Sequence, residues 1–208
     1  MENTVKSLKS NRFDVYTVKT KEEAKDLVMS IIPSGSTVSS GGSMTLSEAG
    51  IIEALRNDSE IKYLDRMVPG LSAEEKQAIM EKAMTCDYYL SSSNAITENG
   101  ELYNVDGNSN RVSALLYGPK NVIIVAGKNK IVKNLEEAVK RVKEISAPLN
   151  AKRLSCKTYC EKEGKCIADK MTDGCNSTSR ICSSYVVMAY QRHAGRVKII
   201  LVDENLGY

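Results

Sequence analysis

From Phe13 to Val202 the chain alternates short β-prone runs with amphipathic stretches of helical period, and this alternation restricts the fold more than any other feature. Phe13–Val18, Thr37–Ser40, Ile61–Leu64, Tyr88–Leu90, Asn121–Ala126, Tyr185–Ala189 and Val197–Val202 are strand-like. Between them lie KEEAKDLVMSII, TLSEAGIIEALRN, AEEKQAIMEKAM and NLEEAVKRVKEI. Thr20 with Glu23, Thr45 with Glu48, and Ser72 with Glu75 have the spacing of capping boxes, which satisfy free N–H groups at a helix start. Asn121–Ala126 is the most apolar run and belongs in the middle of a sheet, where both faces are covered. The pattern predicts an α/β layered domain with a largely parallel sheet. It spans residues 1–208 as one unit, with an irregular cysteine-rich segment at 151–184.

A length of 208 residues suffices for one substantial core. The formal charge of +3 is too small to mark a nucleic-acid binder, and with no Trp and one Phe the chain lacks aromatic platforms for stacking bases. No nucleic-acid partner is therefore expected. No apolar run is long enough to span a membrane, and MENTVKSLKSNRFDVY lacks the hydrophobic centre of a signal peptide. A cytoplasmic location is the expectation.

The candidate chemistry concentrates in Asn94–Arg111, NAITENGELYNVDGNSNR. Carboxamides, carboxylates and a guanidinium there stand between short apolar pieces, beyond what two Asn/Asp–Gly turns require. Glu98 is the candidate catalyst, able to serve as nucleophile or proton-transfer base according to its burial. Asp106, Asn108, Asn110 and Arg111 are candidate substrate ligands, Arg111 being suited to paired hydrogen bonds with a carboxylate. Asn94, Asn104 and Gly107 complete this wall. The opposite wall is the turn Gly41, Gly42, Ser43 and Thr45, where glycines after a strand let backbone N–H groups approach an anion. No lysine of the nucleotide-binding P-loop type follows these glycines. Lys130 follows the apolar strand, at the strand end where α/β proteins place ligands. His193, the sole histidine, reads as a surface turn residue, which argues against a histidine-based triad.

Five of the six cysteines, Cys156, Cys160, Cys166, Cys175 and Cys182, follow the spacing C-x3-C-x5-C-x8-C-x6-C in a basic neighbourhood. In a reducing compartment such a group suits a zinc ion or an iron–sulfur cluster, with redox-active or inert thiols as the alternatives. Cys160, Cys166, Cys175 and Cys182 are the candidate ligands, with Cys156 as a fifth. The spacing is not that of a ferredoxin and has no C-x2-C pair.

Taken in order, VSSGGSMTLSEAGI, SSSNAITENGELYNVDGNSNRVSALLYGPKNVIIVAGKNKIV, APLNAKRL, RICSS and ILVDENLGY resemble the LUD-domain family, the lactate-utilisation proteins. The resemblance implies a fold similar to the sugar-phosphate isomerase and CoA-transferase superfamily. It also implies association with oxidation of L-lactate to pyruvate alongside iron–sulfur partner subunits. Thr97–Gly100 looks like the motif that carries the catalytic glutamate of class I CoA-transferases, and Glu98 takes that position. Relatives share a cysteine motif that Cys160, Cys166 and Cys182 match, whereas the cysteine expected soon after Cys166 is replaced in sequence by Asp169-Lys170.

Three classes fit this reading. The first binds a small anionic hydroxy or keto acid, or its activated form. The second is a CoA-transferase-like or isomerase-like enzyme using Glu98. The third is a non-catalytic metal- or redox-sensing assembly subunit. A homodimer is a candidate assembly.

Overall fold

A computed structural model describes all residues from Met1 to Tyr208. The chain runs α1 (Glu2–Ser10), β1 (Asp14–Val18), α2 (Lys21–Ile31), β2 (Thr37–Ser40), α3 (Met44–Glu48), α4 (Ile51–Asn57), β3 (Lys62–Leu64) and α5 (Ala73–Ala83). It continues through β4 (Tyr88–Ser91), β5 (Ala95–Thr97), β6 (Leu102–Asp106), α6 (Asn110–Leu116), β7 (Asn121–Gly127) and β8 (Ile131–Val132). The last elements are α7 (Leu135–Arg141), α8 (Ala147–Leu154), α9 (Tyr159–Glu163), β9 (Ser184–Met188) and β10 (Val197–Val202). No helix is long and apolar enough to cross a membrane.

Six strands form one sheet in the order β1-β10-β7-β4-β2-β3, and every pairing in it is parallel. Asn121–Gly127 sits near its middle, and its alternate side chains enter different cores. Val122, Ile124 and Ala126 pack with Leu8 of α1 and Leu115 of α6, whereas Ile123 and Val125 pack with Val28 of α2 and Leu55 of α4. Burial on both faces is the reason this strand is apolar without alternation.

A second sheet, β8-β5-β6-β9, combines parallel and antiparallel pairings. Ile96 and Leu102 point into the core shared with the large sheet, while Ala95, Tyr103 and Val105 meet Ala138 and Val139 of α7. The sequence pattern did not separate this sheet from the polar segment, because its central strands are short and buried on both sides.

Three local details differ from the sequence expectations. The Asn99-Gly100 turn does not make the two-residue hairpin loop that an Asn–Gly pair favours. Only Gly100 has positive φ, at +81°, and the Thr97 N–H donates to the Glu101 carbonyl at 2.9 Å, giving a three-residue loop. A side chain at Gly100 would also strike α1, since a Cβ there would lie 2.7 Å from the Leu8 nitrogen. Second, the helix after Gly42 is capped by Ser43, whose hydroxyl accepts from the Leu46 N–H, so Thr45 lies inside the first turn and is free for another role. Third, the helix expected to stop at Ile145 continues through a π-type turn, Val142–Ser146, into α8. Pro148 lacks an N–H and crowds the carbonyl one turn earlier, and the wider turn relieves that conflict.

Replacing Ile124, fully buried at the centre of the parallel sheet, tests this packing. Ile124→Ala is expected to lower stability by about 2–5 kcal/mol, seen as a reduced urea midpoint with an unchanged transition slope.

Candidate functional site

A cleft of about 460 Å³ opens at the carboxyl ends of β2, β4 and β7. Open α/β sheets bind ligands at this edge, because the loops leaving neighbouring strands diverge there. After β2 the chain enters α3 through Gly41–Ser43, and after β4 it enters the second sheet through Ser92–Asn94. Lys130 arrives in the short helical turn that follows β7.

Of the residues expected at the site, Gly42, Ser43, Asn94, Asp106, Gly107, Asn108, Asn110, Arg111 and Lys130 line this cleft. Gly41, Thr45 and Asn104 lie just beneath it. A Cβ on Gly41 would sit 3.0 Å from Cδ of Arg111, so glycine is what lets the arginine lie flat against the turn. Glu98 is elsewhere. It is exposed in the loop between β5 and β6, where Asn11 donates to the carbonyls of Asn99 and Gly100 at 2.9 and 3.1 Å, and it does not line the cleft.

Arg111 has a different task from the one its sequence position suggests. Nη1 donates to Asn104 Oδ1 at 2.7 Å and Nη2 donates to Asn94 Oδ1 at 3.1 Å and the Val105 carbonyl at 2.7 Å. Nε faces Asp106 Oδ2 at 3.3 Å, and Nη1 also reaches the Ser92 carbonyl at 3.5 Å. With its donors committed to protein acceptors, the guanidinium is an internal clamp joining β6, α6 and the β4–β5 loop. Burial pulls its pKa down and the facing Asp106 opposes that shift.

Lys130 is 3% exposed. Its Nζ donates to Thr45 Oγ1 at 2.8 Å and to Ser92 Oγ at 3.0 Å, and it has no carboxylate in ion-pair contact. Burial first, then the charges of Arg141 and Arg111, push its pKa down to about 7, against a smaller opposing pull from Glu48. Arg141 is fixed in turn by the carbonyls of Asn129 and Asn94 and by Ser146 Oγ.

Sequence reasoning did not single out Arg66, Arg153, Tyr208 or the Ser91–Ser93 run, all of which line the cleft. The serines follow directly on β4, so the strand-end rule that pointed to Lys130 could have found them. The Nη2 atoms of Arg66 and Arg153 lie 3.2 and 3.7 Å from the point a Cβ on Gly42 would occupy. Arg66 also meets the Met80 sulfur, and Arg153 meets the Asn150 side chain and the Tyr208 hydroxyl, and neither is in an ion pair. Arg66, Arg111, Lys130, Arg153 and Arg180 thus face a single lining carboxylate, Asp106, which is already engaged by Arg111. The Tyr208 hydroxyl is buried beside Arg153.

The cysteines are not arranged as a ligand set. No three His, Cys, Asp or Glu side chains are placed to hold a metal ion, and Cys156, Cys160, Cys166, Cys175 and Cys182 are all free thiols, of which Cys160 and Cys166 neighbour Cys182. Cys160 Sγ is paired with Thr158 Oγ1 at 3.4 Å, and Lys143 Nζ lies 3.8 Å from Cys166 Sγ. Burial, and then the neighbouring Cys160 and Cys166, push the Cys182 thiol up to about 11, overriding Lys143 and Arg180, so the expected basic activation does not prevail there. Arg180 is spent on the carbonyls of Thr172, Cys175 and Cys182, which hold the irregular segment in place.

Two expectations follow from the buried charges. Arg111→Met leaves Asp106 without its counter-charge and is expected to cost about 3–5 kcal/mol of unfolding free energy, measurable by chemical denaturation. For Lys130, the unfolded chain binds the proton more tightly than the folded one. The destabilising cost of the buried charge is therefore full below about pH 7 and fades as pH rises toward the ordinary lysine value of 10.5. Stability of the wild type relative to Lys130→Met should rise across that window, as paired thermal melts would show.

The model of the LUD domain family matches residues 1–202. No curated protein matches the chain. Among solved structures, a DUF162 family protein from Deinococcus radiodurans is similar over 97% of this chain and 94% of that one, with 14% identity and a TM-score of 0.54. At that identity the likeness bears on the fold alone. Ribose 5-phosphate isomerase A from Neisseria gonorrhoeae matches 66% of each chain at 14% identity with a TM-score of 0.35. The isomerase from Methanocaldococcus jannaschii matches 78% of this chain and 76% of that one at 12% identity with a TM-score of 0.38. The agreement of the family match along nearly the whole chain with the parallel sheet and its carboxyl-edge cleft places this protein in the LUD domain family, among the lactate-utilisation-type proteins.

Proposed function

We propose that the cleft binds a small hydroxy or keto acid, or an activated form of one, through its carboxylate. The observation that carries this reading is the pair of guanidiniums from Arg66 and Arg153 flanking the open space above Gly42, with no side-chain carboxylate in ion-pair contact with either. A carboxylate between them would gain charge-assisted hydrogen bonds. Asn108, Asn110 and the Ser91–Ser93 run supply donors and acceptors for hydroxyl or carbonyl oxygens. The cleft holds roughly fifteen water volumes at about 30 Å³ each. That exceeds the needs of a three-carbon acid, and it gives room to an activating group or to ordered water.

The family setting supports L-lactate and pyruvate as the first acids to test. If the chain serves in lactate oxidation, the electrons released as a hydroxy acid becomes a keto acid pass to iron–sulfur partner subunits in the proposed arrangement. Glu98 has no part in this reading, because its exposed loop lies outside the cleft.

Isothermal titration with pyruvate and L-lactate tests the proposal. Binding is expected to the wild type, and each of Arg66→Ala and Arg153→Ala is expected to weaken it about 10-fold or more, the equivalent of one charge-assisted hydrogen bond. Gly42→Ala, which fills the space between the guanidiniums, should weaken it too. Absence of binding by either acid, or affinities indifferent to both arginine substitutions, would overturn the reading.

A further inference from the structure

The Lys130 amine is held in a way that an anion-binding lysine does not need. Its two nearest partners are hydroxyl oxygens, and each hydroxyl has its own acceptor: Thr45 donates to the Leu206 carbonyl at 3.3 Å and Ser92 to the Ser93 carbonyl at 3.5 Å. Both oxygens therefore accept from Lys130. A neutral amine has two N–H bonds and one lone pair, and these two hydroxyls absorb both N–H bonds. The lone pair is left over at a residue that borders the cleft.

The surroundings favour the neutral form. Arg111 and Arg141 flank the lysine, the only opposing charge near it is the more distant Glu48, and burial removes the water that would solvate an ammonium. Lysines acquire nucleophilic character by this combination of desolvation and cationic neighbours. Thr45 also sits in the first turn of the helix that Gly42 and Ser43 introduce, so its hydrogen bond to Lys130 ties the amine to the turn where the carboxylate is proposed to sit.

We infer that Lys130 is a covalent catalytic residue that forms an imine with the carbonyl carbon of a keto acid seated in the cleft. The inference rests on the keto-acid reading given above and extends it. The nitrogen lone pair attacks the carbonyl carbon, a C–N bond forms, and the C=O π pair moves to oxygen. A proton passes from nitrogen to that oxygen to give a carbinolamine. The nitrogen lone pair then expels the hydroxyl as a C=N bond forms, and the proton left on nitrogen goes to the departing hydroxide, so that water leaves and a neutral imine remains. No oxidant or reductant is consumed. The resulting imine withdraws electrons from the adjacent carbons and eases proton loss from them.

The test is reductive trapping on the full chain at pH 7, with pyruvate or glyoxylate as probe and cyanoborohydride as reductant, followed by peptide mass mapping. Binding of the same probes is measured by titration on the same preparation. The expected result is a reduced adduct on Lys130 in preference to the exposed lysines, lost in Lys130→Met and diminished in Thr45→Val. The wild-type map decides the matter even where a variant folds poorly. Probe binding without an adduct on Lys130 overturns the imine and leaves the keto-acid site standing. Neither binding nor adduct overturns both.

Discussion

The buried guanidinium of Arg111 is the interaction on which the cleft depends. It gathers the side chains of Asn94, Asn104 and Asp106 with the carbonyls of Ser92 and Val105, and so joins the loop after β4, strand β6 and helix α6. A charge in that position is tolerable only because its donors are occupied and a carboxylate opposes it. The same charge acts at a distance on Lys130, whose ammonium it disfavours. One residue thereby fixes the cleft floor and adds to the burial and the Arg141 charge that lower the Lys130 pKa.

The division of labour among the cations follows from this. Arg111, Arg141 and Arg180 are satisfied internally by carbonyls and amides and serve as struts. Arg66 and Arg153 have no such saturation and face the open volume above Gly42. The cleft is lined by guanidiniums and hydroxyls with few apolar side chains, which is the basis of the proposed preference for compact anions. Its position at the carboxyl ends of parallel strands repeats the general logic of α/β proteins, in which rigid strands aim loop residues at a common point.

Much of the fold was legible in the residues. The seven β-prone runs all became strands because alternation and β-branched content are local properties, and Thr20 and Ser72 capped helices as their spacing required. Thr45 was misplaced because Ser43, two residues earlier, also has a hydroxyl and took the cap, a choice that turns on where the chain leaves β2. The continuation of α7 into α8 was hidden by Pro148, a residue that ordinarily ends a helix and here is accommodated by a π-type turn. Of the polar segment Asn94–Arg111, the residues Asn94, Asp106, Gly107, Asn108, Asn110 and Arg111 line the cleft and Glu98 does not, because polar density does not distinguish a side chain facing the open space from one facing protein or solvent.

The sequence by itself determined the α/β class, the central place of Asn121–Ala126 and the neighbourhood of the site, since periodicity and polarity are written in consecutive residues. Only the tertiary structure decided which members of that neighbourhood meet. Glu98 went outward because the β5–β6 loop is pinned against α1 by Asn11 and the close approach at Gly100. Lys130 came inward because the strand before it ends beneath Thr45 and Ser92, residues 85 and 38 positions away in the chain. Cys160 and Cys166 came close enough to Cys182 to add to the burial that raises its pKa, although no three potential ligands are placed to hold a metal. Proximity along the chain sets local conformation, whereas burial, charge compensation and the direction of a side chain are settled by partners the sequence does not place side by side.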